Sequence, residues 1–178
     1  MHRILASITS LELHAAALES GCEALRPSNC PHCNGCKLWG HGCYYRKADR
    51  GPGADGALNP VAIARFLCAA CIHTCSRLPL CIAPRRWYNW AVQQLVLLLI
   101  LTGSSVNYCS GFAALDRRTV RRWRDWLAQR SEVFVFRLRS RFAELGRESD
   151  TPALWRSVMN DIGLGVAMAW LDQDLIVP

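Results

Sequence analysis

The sequence predicts an α+β chain, mainly helical: a small β-hairpin module first, then helices to the end. Three observations lead there. Cys30-Pro31-His32-Cys33 and Cys68-Ala69-Ala70-Cys71 are two Cys-x-x-Cys turns, each beside a run of β-formers. From Arg85 onward the apolar residues change to helical spacing. The positive charge gathers in one stretch, residues 116–141, where nine arginines face only Asp116, Asp125 and Glu132.

Taken in order, residues 1–25 read as an N-terminal helical arm, with Thr9-Ser10-Leu11-Glu12 as a capping box opening a short helix. Residues 26–84 form the hairpin module. Lys37 to Lys47 is the first strand, rich in Leu38, Trp39, Tyr44 and Tyr45, and Val61 to Leu67 is the second, running directly into Cys68. The Gly- and Pro-bearing stretch from Lys47 to Pro60 is a loop. Residues 85–130 form a helical domain. In its first helix Trp87, Trp90, Ala91, Gln94, Leu95 and Leu98 follow i, i+3, i+4 spacing. Thr102-Gly103-Ser104-Ser105 ends that helix, a short segment from Val106 to Ala113 follows, and Asp116 caps a helix from Arg117 to Arg130. Residues 131–178 are a helical tail, with helical stretches around Val133–Leu145 and Pro152–Asp172.

At 178 residues with 51% apolar content, the chain suits one domain or two small ones with an ample core. Ten cysteines invite a disulfide reading, but Met1 to Ser20 is a poor signal peptide, with a single Arg3 and an apolar stretch broken by Glu12 and His14. The expected compartment is the reducing cytoplasm, where paired cysteines are metal ligands or free thiols. The most apolar run, Leu95 to Leu101, falls far short of the ~20 residues of a membrane-spanning helix and is flanked by Gln93 and Gln94.

A two-residue gap between cysteines lets one tight turn aim two sulfurs at one metal, and two such turns complete a closed, structural tetrathiolate zinc site. Cys30, Cys33, Cys68 and Cys71 are the expected zinc ligands. The 34 residues between the inner cysteines are absorbed by an antiparallel hairpin, whose ends return to one place. Cys33-Asn34-Gly35-Cys36, Cys75, His32, His41 and His73 offer substitute ligands. Cys22, Cys36, Cys43, Cys75, Cys81 and Cys109 are expected as buried or half-buried thiols. A thiol-redox pair is the rival chemistry, without the βαβ pattern that usually carries it.

The segment Ser105 to Leu127 has helix-turn-helix lengths: a helix of about two turns, a short connection through Ala114 and Leu115, and a capped second helix. Val120, Trp123 and Leu127 make its buried stripe, with Arg117, Arg121 and Arg124 on one flank and Arg118, Arg122 and Asp125 on the other. Arginine pairs with phosphate and donates bidentately to guanine, so Arg117, Arg118, Arg121, Arg122 and Arg124 are the expected DNA contacts. The net charge of +7 agrees with a polyanionic partner.

Arg26-Pro27-Ser28-Asn29-Cys30-Pro31-His32-Cys33, His41-Gly42-Cys43-Tyr44-Tyr45-Arg46, Arg65-Phe66-Leu67-Cys68-Ala69-Ala70-Cys71 and Ser76-Arg77-Leu78-Pro79 resemble a zinc-ribbon domain of proteins from bacterial insertion sequences and other transposons. In that family a helix-turn-helix like that around Asp116–Trp123 often follows. The resemblance covers residues 26–130 and implies double-stranded DNA as partner in transposition, with Cys30, Cys33, Cys68 and Cys71 as zinc ligands. It departs from the family at Ala114, where such turns usually carry Gly, and at Cys36 and the long Gly-rich loop. No run of strands is present to mount the carboxylates of a transposase catalytic domain. The expectation is a non-catalytic accessory or regulatory DNA-binding protein, able to pair with a transposase or as a homodimer. The alternative is a zinc-stabilised interaction module of a transposase or transcription complex.

Overall fold

The computed structural model describes residues 3–48, 56, 58–84, 88–175 and 177. Most of the expected Lys47–Pro60 loop lies outside them, as do Arg85 and Trp87. The architecture is α+β, and the chain divides into two compact units, Met1–Asn89 with Met168–Pro178, and Trp90–Ala167.

In the first unit, β2 (Leu38–Arg46) and β3 (Val61–Cys68) pair antiparallel, with a register shift between Gly40 and Cys43. A two-residue strand β4 (Thr74–Cys75) adds to β3. The bulge bends β2, and the sheet is covered on different faces at its two ends. At the cysteine end Leu38, Ala64, Phe66 and Cys68 pack on Leu5, Ile8 and Leu25. At the other end Val61 and Ile63 pack on Leu78 and Ile82. Helix α1 (Leu11–Glu19) lies beside β3, and its buried His14 places Nε2 2.9 Å from the Ala62 carbonyl oxygen. The cap of α1 is Ser10, one residue after the Thr9 expected of a capping box. Its hydroxyl accepts the Leu13 N–H at 3.2 Å.

A second sheet, invisible to sequence periodicity, is a two-residue parallel pair of β1 (Ile4–Leu5) with β5 (Leu78–Pro79). The buried Asp172 carboxylate fastens β1 from the other end of the chain. It accepts the backbone N–H of Arg3 and, at 3.0 Å, that of Ile4.

The second unit is helical: α2 (Trp90–Leu101), α3 (Val106–Phe112), α4 (Arg117–Arg141), α5 (Thr151–Ser157) and the start of α6 (Leu164–Leu171). Two expectations change here. The buried face of α2 is Trp90, Gln93, Val96 and Leu97, while Ala91 and Leu95 are exposed. A helix that is apolar on nearly every side gives periodicity nothing to phase on. Its polar flank is structural: the Gln94 amide donates to the Met159 carbonyl at 2.7 Å and accepts the Leu164 N–H at 2.8 Å. Helix α4 does not stop at Arg130 but runs to Arg141, because Ser131, Phe134, Val135 and Leu138 prolong its buried stripe and no Gly or Pro interrupts it. Trp155 on α5 meets that stripe, its ring 6.4 Å from Phe134 and its Nε1–H donating to Ser131 Oγ at 3.0 Å.

Among the described residues no helix is long and apolar enough to cross a membrane.

Candidate metal centre and basic helix

The two Cys-x-x-Cys segments fold into the same turn. The N–H of Asn34 returns to the Cys30 carbonyl and that of Ile72 to the Cys68 carbonyl, both at 2.9 Å. The N–H of Cys30 donates to Gly35 at 2.8 Å and that of Cys68 to His73 at 3.0 Å. Asn34 and Ile72, the fifth residue of each turn, are both left-handed, with φ of 60° and 59°. The turns meet closely at Gly35, where an added Cβ would lie 3.4 Å from the Ala70 Cβ and from the Cys33 sulfur.

This pairing gathers four sulfurs. Cys30, Cys33, Cys68 and Cys71 have all their Sγ atoms within 4.8 Å of one another, with Cys30 and Cys71 at 3.6 Å and Cys33 and Cys68 at 3.6 Å. Tetrahedral zinc with ~2.3 Å bonds to sulfur sets its ligand sulfurs ~3.8 Å apart, so the donor set fits. Cys30 and Cys68 are buried, Cys71 is half-buried and Cys33 is exposed.

The backbone prepares the leading sulfur of each turn for negative charge. The N–H groups of Cys33 and then His32 point at Cys30 Sγ and lower its pKa, and the His32 nitrogen lies 3.4 Å away. The N–H groups of Cys71 and then Ala70 do the same for Cys68, against the effect of burial, and bring its thiol to about 7. The His73 N–H pulls Cys71 down too. Burial and the neighbouring sulfurs of Cys33, Cys30 and Cys68 outweigh it and push that thiol up to about 12. Four thiolates at this spacing repel one another, and a divalent cation removes that repulsion.

The substitute ligands fare unequally. Cys36 is exposed and outside the cluster. Cys75 packs against the same core as a half-buried thiol, its pKa raised by burial and then by Cys30 and Cys68. His41 is exposed on β2. His32 and His73 do come together with Cys71. Their rings, however, are stacked at 3.9 Å and 12°, which leaves the in-plane nitrogen lone pairs side by side rather than converging. Cys36 and Cys43, expected at least half-buried, are exposed: Cys36 lies before the first hairpin strand, and Cys43 lies at the register shift in β2.

On α4, Val120, Trp123 and Leu127 are buried and Arg117, Arg118, Arg121, Arg122 and Arg124 are exposed. Asp116 caps the helix through the Arg118 N–H at 2.7 Å. Arg118, Arg121 and Arg122 line one depression of about 400 Å³ with Asp125, Trp126 and Gln129. Arg121 therefore sits with Arg118 and Arg122. Arg124 is not in that lining and lies beside Leu127 and Ala128 in another depression, while its Nε and Nη2 donate to Asp125 Oδ1 at 2.9 and 2.8 Å. The connection from α3 to α4 turns at Ala114, which is left-handed at φ 51°.

The model of one protein family spans residues 30–123, from the first clustered cysteine to the buried tryptophan of α4. The chain belongs to that family, described as Domain of unknown function (DUF6431). The family unit therefore takes in both cysteine turns, the hairpin, α2, α3 and the arginine-bearing start of α4. No curated protein and no solved structure matches the chain.

Proposed function

We propose that this DUF6431 chain is a non-catalytic, zinc-stabilised, sequence-specific binder of duplex DNA. In this reading residues 26–84 are a zinc ribbon, with zinc held by Cys30, Cys33, Cys68 and Cys71, and α3 and α4 are a helix-turn-helix. The observation that carries it is the start of α4. Four arginines in six residues project from a capped helix end whose opposite side, Val120 and Trp123, is locked in the core. A recognition helix needs that division, since its N-terminal half enters the major groove while its apolar side stays on the scaffold. Arg118 and Arg122 are assigned to bases and Arg121 to phosphate. Arg124, held by Asp125, is left a phosphate contact at the edge.

Four of the carboxylates have structural partners. Asp116 and Asp150 cap helices, Asp172 holds β1, and Glu148 accepts the Ser157 hydroxyl at 2.5 Å, which supports the non-catalytic reading. The resemblance of residues 26–130 to transposon zinc ribbons supports a cytoplasmic role in transposition, as accessory or regulator. The interaction-module reading draws on the exposed Val133 and Phe136 further along α4, an apolar patch suited to a transposase or a second copy.

Gel shifts at two salt concentrations test the proposal. Affinity for the preferred duplex falls steeply with salt, by ~0.9 in log–log slope per neutralised phosphate. Arg121→Ala weakens all sequences alike and reduces the slope by about one, while Arg118→Ala costs ~1–3 kcal/mol on the preferred site only. Two indifferent variants would leave the interaction module as the better reading.

A further inference from the structure

The hairpin carries a surface that the arginine helix does not explain. Trp39 is 65% exposed as the second residue of β2, directly after the buried Leu38. It pairs across the ladder with Leu67, which pairs in turn with Thr74, so the three share one face of the sheet. Alternation along β3 puts Arg65 on that same face, and Lys37, one residue before β2, continues the ladder by accepting the Ala69 N–H at 3.0 Å and so falls on the Trp39 side. Arg65 is held in place there by its Nη2, which donates to Thr74 Oγ1 at 3.2 Å.

The charge carried by the sheet's own segments is one-sided. No Asp or Glu lies between Glu23 and Asp49 or between Asp55 and Asp116, so both turns and all three strands of this sheet lack a carboxylate. Lys37, Arg46, Lys47, Arg65 and Arg77 fall in those same acid-free stretches, as does Arg26, which is paired with Glu23 at 2.7 Å. An exposed flat ring between two cations, on an acid-free sheet, complements a polyanion that carries free aromatic faces. In a duplex the base faces are covered by their neighbours, whereas in a single strand they are open to stacking.

We propose that the Trp39 face of the hairpin binds single-stranded nucleic acid, with Trp39 stacking on an unpaired base and Lys37 and Arg65 contacting the flanking phosphates. This site lies within the first unit and stands whether or not α4 reads duplex DNA.

The test uses the reduced, zinc-loaded full chain, with fluorescence anisotropy of a labelled oligo(dT) 20-mer and of a duplex of equal length, at two salt concentrations. Trp39→Ala is expected to weaken oligo(dT) binding by about tenfold, and Trp39→Phe to keep most of it. Lys37→Gln and Arg65→Gln are each expected to lower the salt slope by about 0.7. Zinc content, measured on every variant, separates loss of the site from loss of the fold. Trp39→Leu, which keeps an apolar side chain without an aromatic face, decides the matter if Trp39→Ala loses zinc. Oligo(dT) binding by Trp39→Leu at the wild-type level overturns the proposal, as does an equal loss on oligo(dT) and duplex. The double variant Arg118→Ala, Arg121→Ala is expected to leave oligo(dT) binding within about twofold. If it instead removes that binding while the Trp39 variants are indifferent, the hairpin site is refuted and the duplex reading of α4 survives.

Discussion

Asn34 and Ile72 occupy the same position in two superimposable turns, each left-handed and each returning its N–H to the carbonyl of the cysteine four residues earlier, at 2.9 Å. Asn tolerates that backbone conformation well. Ile does not, because its branched Cβ crowds the following carbonyl. Ile72 is also 69% exposed, so it gains little from burial. Ile72→Gly is therefore expected to stabilise the metal-loaded protein by about 1 kcal/mol, whereas Asn34→Gly stays within about half of that. Thermal melts of the two variants check this, and a destabilised Ile72→Gly would mean that the side chain has a partner the turn geometry does not reveal.

The carboxyl of Asp172 is buried, which raises its pKa against the opposing pull of the Ile4 and Arg3 N–H groups. A carboxyl with a raised folded pKa contributes stability below its unfolded value and loses that contribution as pH rises through its folded value. Asp172→Asn keeps an acceptor for β1 but cannot ionise. Its stability relative to wild type is expected to improve as pH rises from about 4 to 7. Urea midpoints at the two pH values read the difference, and a constant offset would show that ionisation of Asp172 is not the cause.

The connection between α3 and α4 makes a second backbone prediction. Ala114 is exposed and left-handed at φ 51°, the conformation for which similar turns use Gly. Ala114→Gly is expected to stabilise the helical unit by about 1 kcal/mol. Trp123→Ala, which empties a fully packed position, is expected to cost ~3–5 kcal/mol. Chemical denaturation of both variants tests the phase of α4. A harmless Trp123→Ala would contradict it.

Zinc at such sites is worth on the order of 10 kcal/mol, comparable with the stability of a whole domain. Chelation or Cys68→Ser is expected to unfold the hairpin, while Cys109→Ser, buried on α3 in the other unit, keeps the metal. Circular dichroism and metal content of the two serine variants report this, and equal behaviour would disprove the ligand assignment.

What the sequence disclosed and what it hid follow from the range of each signal. The strands of the hairpin, the four clustered cysteines and the burial phase of α4 are written in short, regular patterns, and each was legible. The pairing of Ile4 with Leu78 has no local signature, because two residues make no period and their partners lie far apart in the chain. Asp172 was equally hidden, since its partners are backbone N–H groups that any residue would supply. Helix α2 was misphased because its apolar residues surround it. Arg121 was expected on the flank of Arg117 and Arg124, yet it lines one depression with Arg118 and Arg122, because a long side chain between two flanks can lie on either. The left-handed Ile72 was hidden by its own residue type, which argues against the conformation it adopts.

Whether the two equivalent turns hold one zinc ion on four sulfurs is read by zinc K-edge X-ray absorption on the reduced full chain. One zinc per chain is expected, with four sulfur neighbours at ~2.3 Å and no imidazole shell. A protein purified without zinc, or a spectrum with histidine nitrogens from His32 and His73 in place of sulfur, would contradict it.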